Sequence, residues 1–218
     1  MTAINKSLMV RSFNRAASAY AGHSQLQQGA GLRLLSLLGA RQSLCPERIA
    51  DIGCATGFTT RAVAQRWPEA QITALDLAAN MVCGARKNLS DQSAVHFVCA
   101  DMEKLPFQST CLDLIFSSSA VQWSADHHLL ATEFQRVLKP GGLLCLSSYG
   151  PGTLAELRDA WAHADAWEHT IEFESRLKLC KLFASCDLDI HLAHSQTEVV
   201  LYGSVNELLH SLKKAGNS

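Results

Sequence analysis

Several things are missing from this 218-residue chain, and each absence removes a class of function. Net charge is nearly absent: 19 Lys and Arg stand against 20 Asp and Glu, a formal balance of −1. Bulk electrostatics therefore gives no reason to expect a nucleic-acid or membrane-surface partner. No apolar run approaches the roughly 20 residues that span a bilayer. The N-terminus carries Asn5, Lys6, Arg11, Asn14 and Arg15 and lacks the apolar core of a signal peptide. The eight cysteines include no C-x-x-C pair, and the nine histidines no H-E-x-x-H pattern. No metal is expected, and several cysteines fall inside apolar strand candidates. Buried free thiols in a reducing, cytoplasmic compartment are the reading that follows. His127-His128 reads as a solvated loop or a helix start. Internal repeats and low-complexity segments are also absent. Composition is otherwise ordinary, at 48% hydrophobic and 18% charged, and the length suits one α/β domain with a full core.

What is present is an alternation. Residues 7–40 read as helical, with Leu32, Leu34, Leu35, Leu37 and Leu38 on an apolar face that Gly39 ends. Strand and helix patterns then alternate over 48–53, 57–66, 71–76, 79–89, 94–100, 111–117, 126–137 and 142–149. Such alternation implies a mostly parallel sheet with helices on both faces. Helical stretches follow at 153–167 and 174–184, then one strand candidate at 188–202 and a helix from Val205 to about Lys214.

The stretch Ile49-Ala50-Asp51-Ile52-Gly53-Cys54-Ala55-Thr56-Gly57-Phe58 carries most of the chemistry. An apolar strand ends near an acid, glycines stand four residues apart, and a helix begins. Glycines allow a sharp turn and close approach of a ligand to the main chain. A second acid, Asp76, closes the next apolar run, where a carboxylate can accept from both hydroxyls of a ribose. A dinucleotide site wants G-x-G-x-x-G, but Ala55 and Phe58 occupy the second and third glycine positions. A P-loop fails too, because no Lys-Ser or Lys-Thr follows the turn.

The pattern resembles motif I of class I S-adenosylmethionine (SAM)-dependent methyltransferases, acid-x-G-x-G-x-G. Asp51, Gly53 and Gly57 match, and Ala55 departs at the middle glycine. Asp76-Leu77 resembles the ribose-binding acid of that family. Val98-Cys99-Ala100-Asp101-Met102 ends a third strand, with Asp101 matching the acid expected on the adenine amino group. Leu112 to Ser117 match the fourth strand, and Val137 to Leu144 the helix end, Pro-Gly-Gly turn and fifth strand. The resemblance implies a Rossmann-like class I fold. It nominates Asp51, Gly53, Cys54, Ala55, Gly57, Asp76, Leu77, Met81, Asp101, Met102 and Ser117 for SAM, which would leave as S-adenosylhomocysteine (SAH). That family's sheet finishes with two more strands. Here one strand candidate follows the fifth, so two outcomes stay open: a sheet that lacks the last strand, or one that closes differently.

Two further segments, Arg11 to Tyr20 and Ser119-Ala120-Val121-Gln122-Trp123, resemble the F-x-R-A-A-x-x-Y and A-V-Q-W segments of the malonyl-acyl carrier protein O-methyltransferases of biotin synthesis (BioC). Gly152 to Leu157 and Ser211-Leu212-Lys213-Lys214-Ala215-Gly216 are similar to that family as well. The resemblance implies methyl transfer to the free carboxylate of a malonyl thioester on acyl carrier protein, with malonyl-CoA as an alternative carrier. It places Tyr20, Gln122 and Trp123 at the reaction and Arg15, Tyr20 and Trp123 on the substrate. Residues 1–40 would form a helical lid over a SAM-binding domain of residues 41–218. Arg176, Lys178, Lys181, Lys213 and Lys214 are candidates for a basic face toward an acidic carrier. Two alternatives stay open: methylation of another small carboxylate or a quinone-type ring, and an inactive binding protein that keeps the fold. Oligomeric state is not legible.

Overall fold

A computed structural model describes residues 4–39, 44–164 and 170–216. The chain opens with α1 (Lys6–Ala16), capped by Asn5, whose side chain accepts from the Leu8 N–H. A short turn α2 (Tyr20–His23) and α3 (Gln25–Gly39) follow. The helical reading of 7–40 therefore breaks twice, at 17–19 and at Ser24. Gln28 ties the second break by donating to Ala21 O and Ser24 Oγ at 2.8 and 3.1 Å.

The centre is β1 (Arg48–Ile52), α4 (Phe58–Arg66), β2 (Gln71–Asp76), α5 (Ala79–Asn88), β3 (Val95–Cys99), β4 (Leu112–Ser118), a 3₁₀ turn (Val121–Trp123), α6 (His127–Val137) and β5 (Leu138–Ser147). The five strands are parallel in the order β3-β2-β1-β4-β5. Alternation along each strand divides the core. Ile49, Leu114 and Phe116 point to one face, with Leu34, Val63 and Trp67 from α3, α4 and the loop after α4. Ala50, Ile52 and Ile115 point to the other, with Leu130 and Phe134 from α6. Leu179 and Phe183 of α8 (Arg176–Ser185) complete that side. His127 begins α6, capped by Asp126, which accepts from the N–H groups of His128 and Leu129. Pro140-Gly141-Gly142 forms a bulge inside β5: Leu112 pairs with Leu138, yet Leu114 pairs with Leu143.

α7 (Ala155–Ala164) is shorter than the expected 153–167, of which 165–167 lie outside the described residues. The strand expected at 188–202 is not there. Residues 189–201 are exposed and join no ladder. Tertiary contact overrides their β pattern: a strand needs a neighbour, and this segment is tied to the body by side chains instead. Arg33 pairs with Glu198 at 2.8 Å, and Arg176 donates to Ala193 O at 3.1 Å. The segment leads into α9 (Val205–Lys214), as expected. Among the described residues no helix is long and apolar enough to cross a membrane, and the eight cysteines are free.

Candidate functional site

In an open parallel sheet, ligands collect beyond the carboxyl ends of the strands where the connections diverge. Here that point lies between β1 and β4. A cleft with about 710 Å³ of empty space, its open mouth included, sits there.

Its floor is the turn after β1. Gly53 has φ +77°, and a Cβ on it would lie 2.2 Å from the Ala120 Cβ. Glycine is thus required for the turn to rest on the loop after β4. Gly57, φ +86°, caps α4 where a Cβ would strike Leu89 Cδ1 at 2.7 Å. Between them Ala55 holds φ +45°, a left-handed backbone carrying a side chain. Asp51 lies beneath the turn, 1% exposed, accepting from Thr60 Oγ1 at 2.6 Å and Thr59 Oγ1 at 3.5 Å. It fastens the first turn of α4 rather than facing the cleft. Burial pushes its pKa up to about 6, against the pull of the two threonine hydroxyls.

Asp76 ends β2 with both oxygens oriented by main chain: Oδ2 accepts from Ala55 N at 3.0 Å and Oδ1 from Ala78 N at 2.8 Å. Burial raises its pKa to about 6, with the N–H groups of Ala78, Ala55 and Leu77 opposing. Asp101, beyond β3, accepts from Glu103 N at 3.0 Å through Oδ1 and from Lys6 Nζ at 2.6 Å through Oδ2. Lys6 also bonds Glu103, which is caged by Ser124 Oγ, Ala125 N and Asp126 N. Burial pushes Glu103 up, but Lys6 and the donors from Asp126, Ser124 and Ala125 outweigh it, so its carboxyl sits below the ordinary range.

The far wall comes from the loop after β4. Ser117 is buried and donates to Ile52 O at 2.9 Å, stitching β4 to β1. Gln122 Nε2 donates to Ser119 O at 2.7 Å, while its buried Oε1 has no partner among the described residues. Phe13 of α1 meets Trp123 edge-on, ring centroids 5.3 Å apart at 86°. Gly216, after α9, packs so closely on Phe13 that a Cβ would come within 2.4 Å of the ring. α1 is also clamped to α5: Asn80 N donates to Asn14 Oδ1 at 2.8 Å and Asn80 Nδ2 to Asn14 O at 3.0 Å.

Of the residues nominated from sequence, Tyr20, Gln122, Trp123, Gly53, Ala55, Asp76, Leu77, Asp101 and Met102 line the cleft together. Asp51, Gly57 and Ser117 shape its floor from beneath. Cys54 and Met81, at 2% and 1% exposure, lie in the packed interior. Arg15 is exposed and outside the lining. Sequence reasoning missed Lys6, Met9, Gln27 and Tyr149. Tyr149 carried a usable signal, because it is the last residue of the strand expected at 142–149. Lys6 carried none. Phe13, Ser119, Ala120 and Ala215 stood in recognised segments without being singled out. Among the described residues no group of three or more His, Cys, Asp or Glu is placed to hold a metal.

A methyltransferase-domain family model matches residues 50–146, the stretch from β1 to β5. The chain is 35% identical over 213 residues to malonyl-[acyl-carrier protein] O-methyltransferase of Serratia marcescens, covering 98% of this chain and 79% of that protein. The chain belongs to the malonyl-[acyl-carrier protein] O-methyltransferase family. It is also 37% identical over 215 residues to the biotin biosynthesis bifunctional protein BioHC of Cellvibrio japonicus, covering 99% of this chain but only 42% of that longer protein. Among solved structures, the complex between the Haloferax volcanii Trm112 methyltransferase activator and a methyltransferase matches with TM-score 0.66 at 22% identity, over 80% of this chain and 75% of that one. That likeness supports the class I methyltransferase fold. The matched stretch holds the Gly53 turn, Asp76, Asp101 and Trp123, while Lys6, Phe13, Tyr20 and Tyr149 line the cleft from outside it.

Proposed function

We propose that this chain binds SAM in the cleft and methylates the free carboxylate of a malonyl thioester carried on acyl carrier protein, an early step of biotin synthesis. The observation that carries the reading is the convergence of Asp76, Asp101, the Gly53 turn and the Tyr20-Gln122-Trp123 wall on one cleft, in a chain of this family.

The residues present fit SAM. Asp76 is oriented by two main-chain donors and keeps lone pairs for ribose hydroxyls. Asp101 faces the same cleft and can accept from the adenine amino group. The orphaned Gln122 Oε1 lies on the loop that abuts the glycine turn, so a ligand ammonium there would satisfy a buried acceptor. When bound, SAM supplies an electrophilic methyl group on a sulfonium sulfur.

The acceptor carboxylate is ionised at neutral pH and is itself the nucleophile, so no residue need act as a general base. The chain's task is alignment and exclusion of water. Phe13, Trp123 and Tyr20 supply an apolar and aromatic wall. We read residues 1–40 as a lid over the domain formed by 41–218, because Lys6, Phe13 and Asn14 hold α1 to the domain surface around the cleft. Esterification hides a charge and leaves a chain end that apolar pockets can accept. Carrier docking is assigned to α8 and α9, where Arg176, Lys178, Lys181 and Lys213 are exposed and Lys214 is half-buried.

The test is the mass of malonyl-acyl carrier protein after incubation with SAM and this protein. Gain of one methyl group, absent from unloaded carrier protein, is the expected result. No gain beside an active relative would overturn the assignment.

A further inference from the structure

We propose that Tyr149 holds the substrate: its hydroxyl and that of Tyr20 form an uncharged cradle for the acceptor carboxylate. The inference rests on the carboxyl-methylation reading above and names how that site recognises its anion.

An anion taken from water must find donors. Among the described residues lining the cleft, Lys6 is the only basic side chain, and Asp101 and Glu103 already hold its ammonium. Arg15, the one cation nominated for this role from sequence, is exposed on the last turn of α1 and does not reach the lining. The carboxylate must therefore be met by neutral donors.

Tyr149 stands two residues past the end of β5, on the ligand edge of the sheet. Its ring is braced edge-on by Phe173, centroids 5.6 Å apart. Ser119 and Gln27 line the same stretch of the cleft beside it. Ser119 is in turn set by its own backbone, φ +53°, with its N–H on Ser147 O at 3.0 Å. A phenol carries one proton that it can donate to an anion. Tyr20 lines the same cleft from the lid side. Burial pushes Tyr149 up to about 12 and Tyr20 higher still, so both phenols keep their protons and remain donors. Neutral donors also suit the chemistry. They orient the attacking oxygen without pairing it to a fixed cation that would damp its nucleophilicity.

The experiment titrates the SAH-loaded protein with malonyl-N-acetylcysteamine thioester and with its methyl ester, for wild type and Tyr149→Phe, and assays turnover of malonyl-acyl carrier protein in parallel. A lost hydrogen bond to a charged group should weaken the acid about tenfold or more, leaving the ester and SAH unaffected. An unchanged acid-to-ester ratio in Tyr149→Phe overturns the cradle, whatever the turnover. A wild type that prefers the acid but transfers no methyl overturns the methylation reading and leaves the cradle standing. A wild type with no acid preference removes the cradle outright. Should Tyr149→Phe fail to bind SAH, Tyr20→Phe decides on the same ratio: a fall supports the cradle, no change refutes it.

Discussion

Ala55 occupies the middle glycine position of the nucleotide turn, and its backbone holds φ +45°. A side chain in the left-handed region costs about 1–2 kcal/mol, because Cβ crowds the following carbonyl. Replacing it with glycine removes that strain but frees the unfolded chain, which offsets about 0.4–1 kcal/mol. Ala55→Gly should therefore stabilise the protein by roughly 0.5–1 kcal/mol, read as a higher urea midpoint at unchanged slope. The substitution has a second consequence. Ala55 N–H donates to Asp76 at 3.0 Å, and the residue lines the cleft, so its methyl group borders whatever occupies that end. Removing it should tighten SAM binding severalfold by calorimetry. A loss of stability beyond about 0.5 kcal/mol would refute the strain argument, since no left-handed penalty could then have been relieved. Unchanged SAM affinity with the expected gain in stability would confine the effect of Ala55 to the backbone.

Asp51 has a folded pKa of about 6 against an ordinary 3.8, so the folded state holds the proton more tightly. Stability should fall as pH rises across that window, by about 3 kcal/mol from this group. Asp51→Asn should lack that part of the fall, leaving the similar limb from Asp76, and equal slopes in both proteins would contradict the reasoning. Gly31→Ala should destabilise by about 1–3 kcal/mol, because its Cβ would sit 2.2 Å from Thr59 Cγ2 where α3 crosses α4. Gly29→Ala, with only the end of Arg33 nearby at 3.7 Å, should instead stabilise by up to about 1 kcal/mol in chemical denaturation. Neutralising Arg176, Lys178, Lys181, Lys213 and Lys214 together should raise KM for malonyl-acyl carrier protein but not for a small malonyl thioester. Equal effects on the two substrates would remove the docking assignment.

The sheet and most of its helices were legible in the sequence because their determinants are local. Val, Ile and Leu runs end at Asp51 and Asp76, glycines mark the turn, and Asp126 caps α6 where the periodicity begins. Eight of the nine nominated residues in the cleft meet there because strand ends and the loops after them converge by topology, which the motif order already implied, while Tyr20 joins them from α2. Residues 188–202 were misread because their pattern is that of a strand, and only tertiary structure decides whether a neighbour exists to pair with it. The fate of side chains was likewise beyond local pattern. Asp51 turns down to Thr60 and Cys54 into the core, while Arg15 stays outside. Lys6 reaches Asp101 across 95 residues of chain, and Tyr149 faces Tyr20's cleft from another layer. By itself the sequence determined the elements from β1 to β5, their order and the nucleotide-type turn, since each rests on contacts among near neighbours. Only the fold decided which donors and carboxylates face the cleft, because that depends on how distant elements pack.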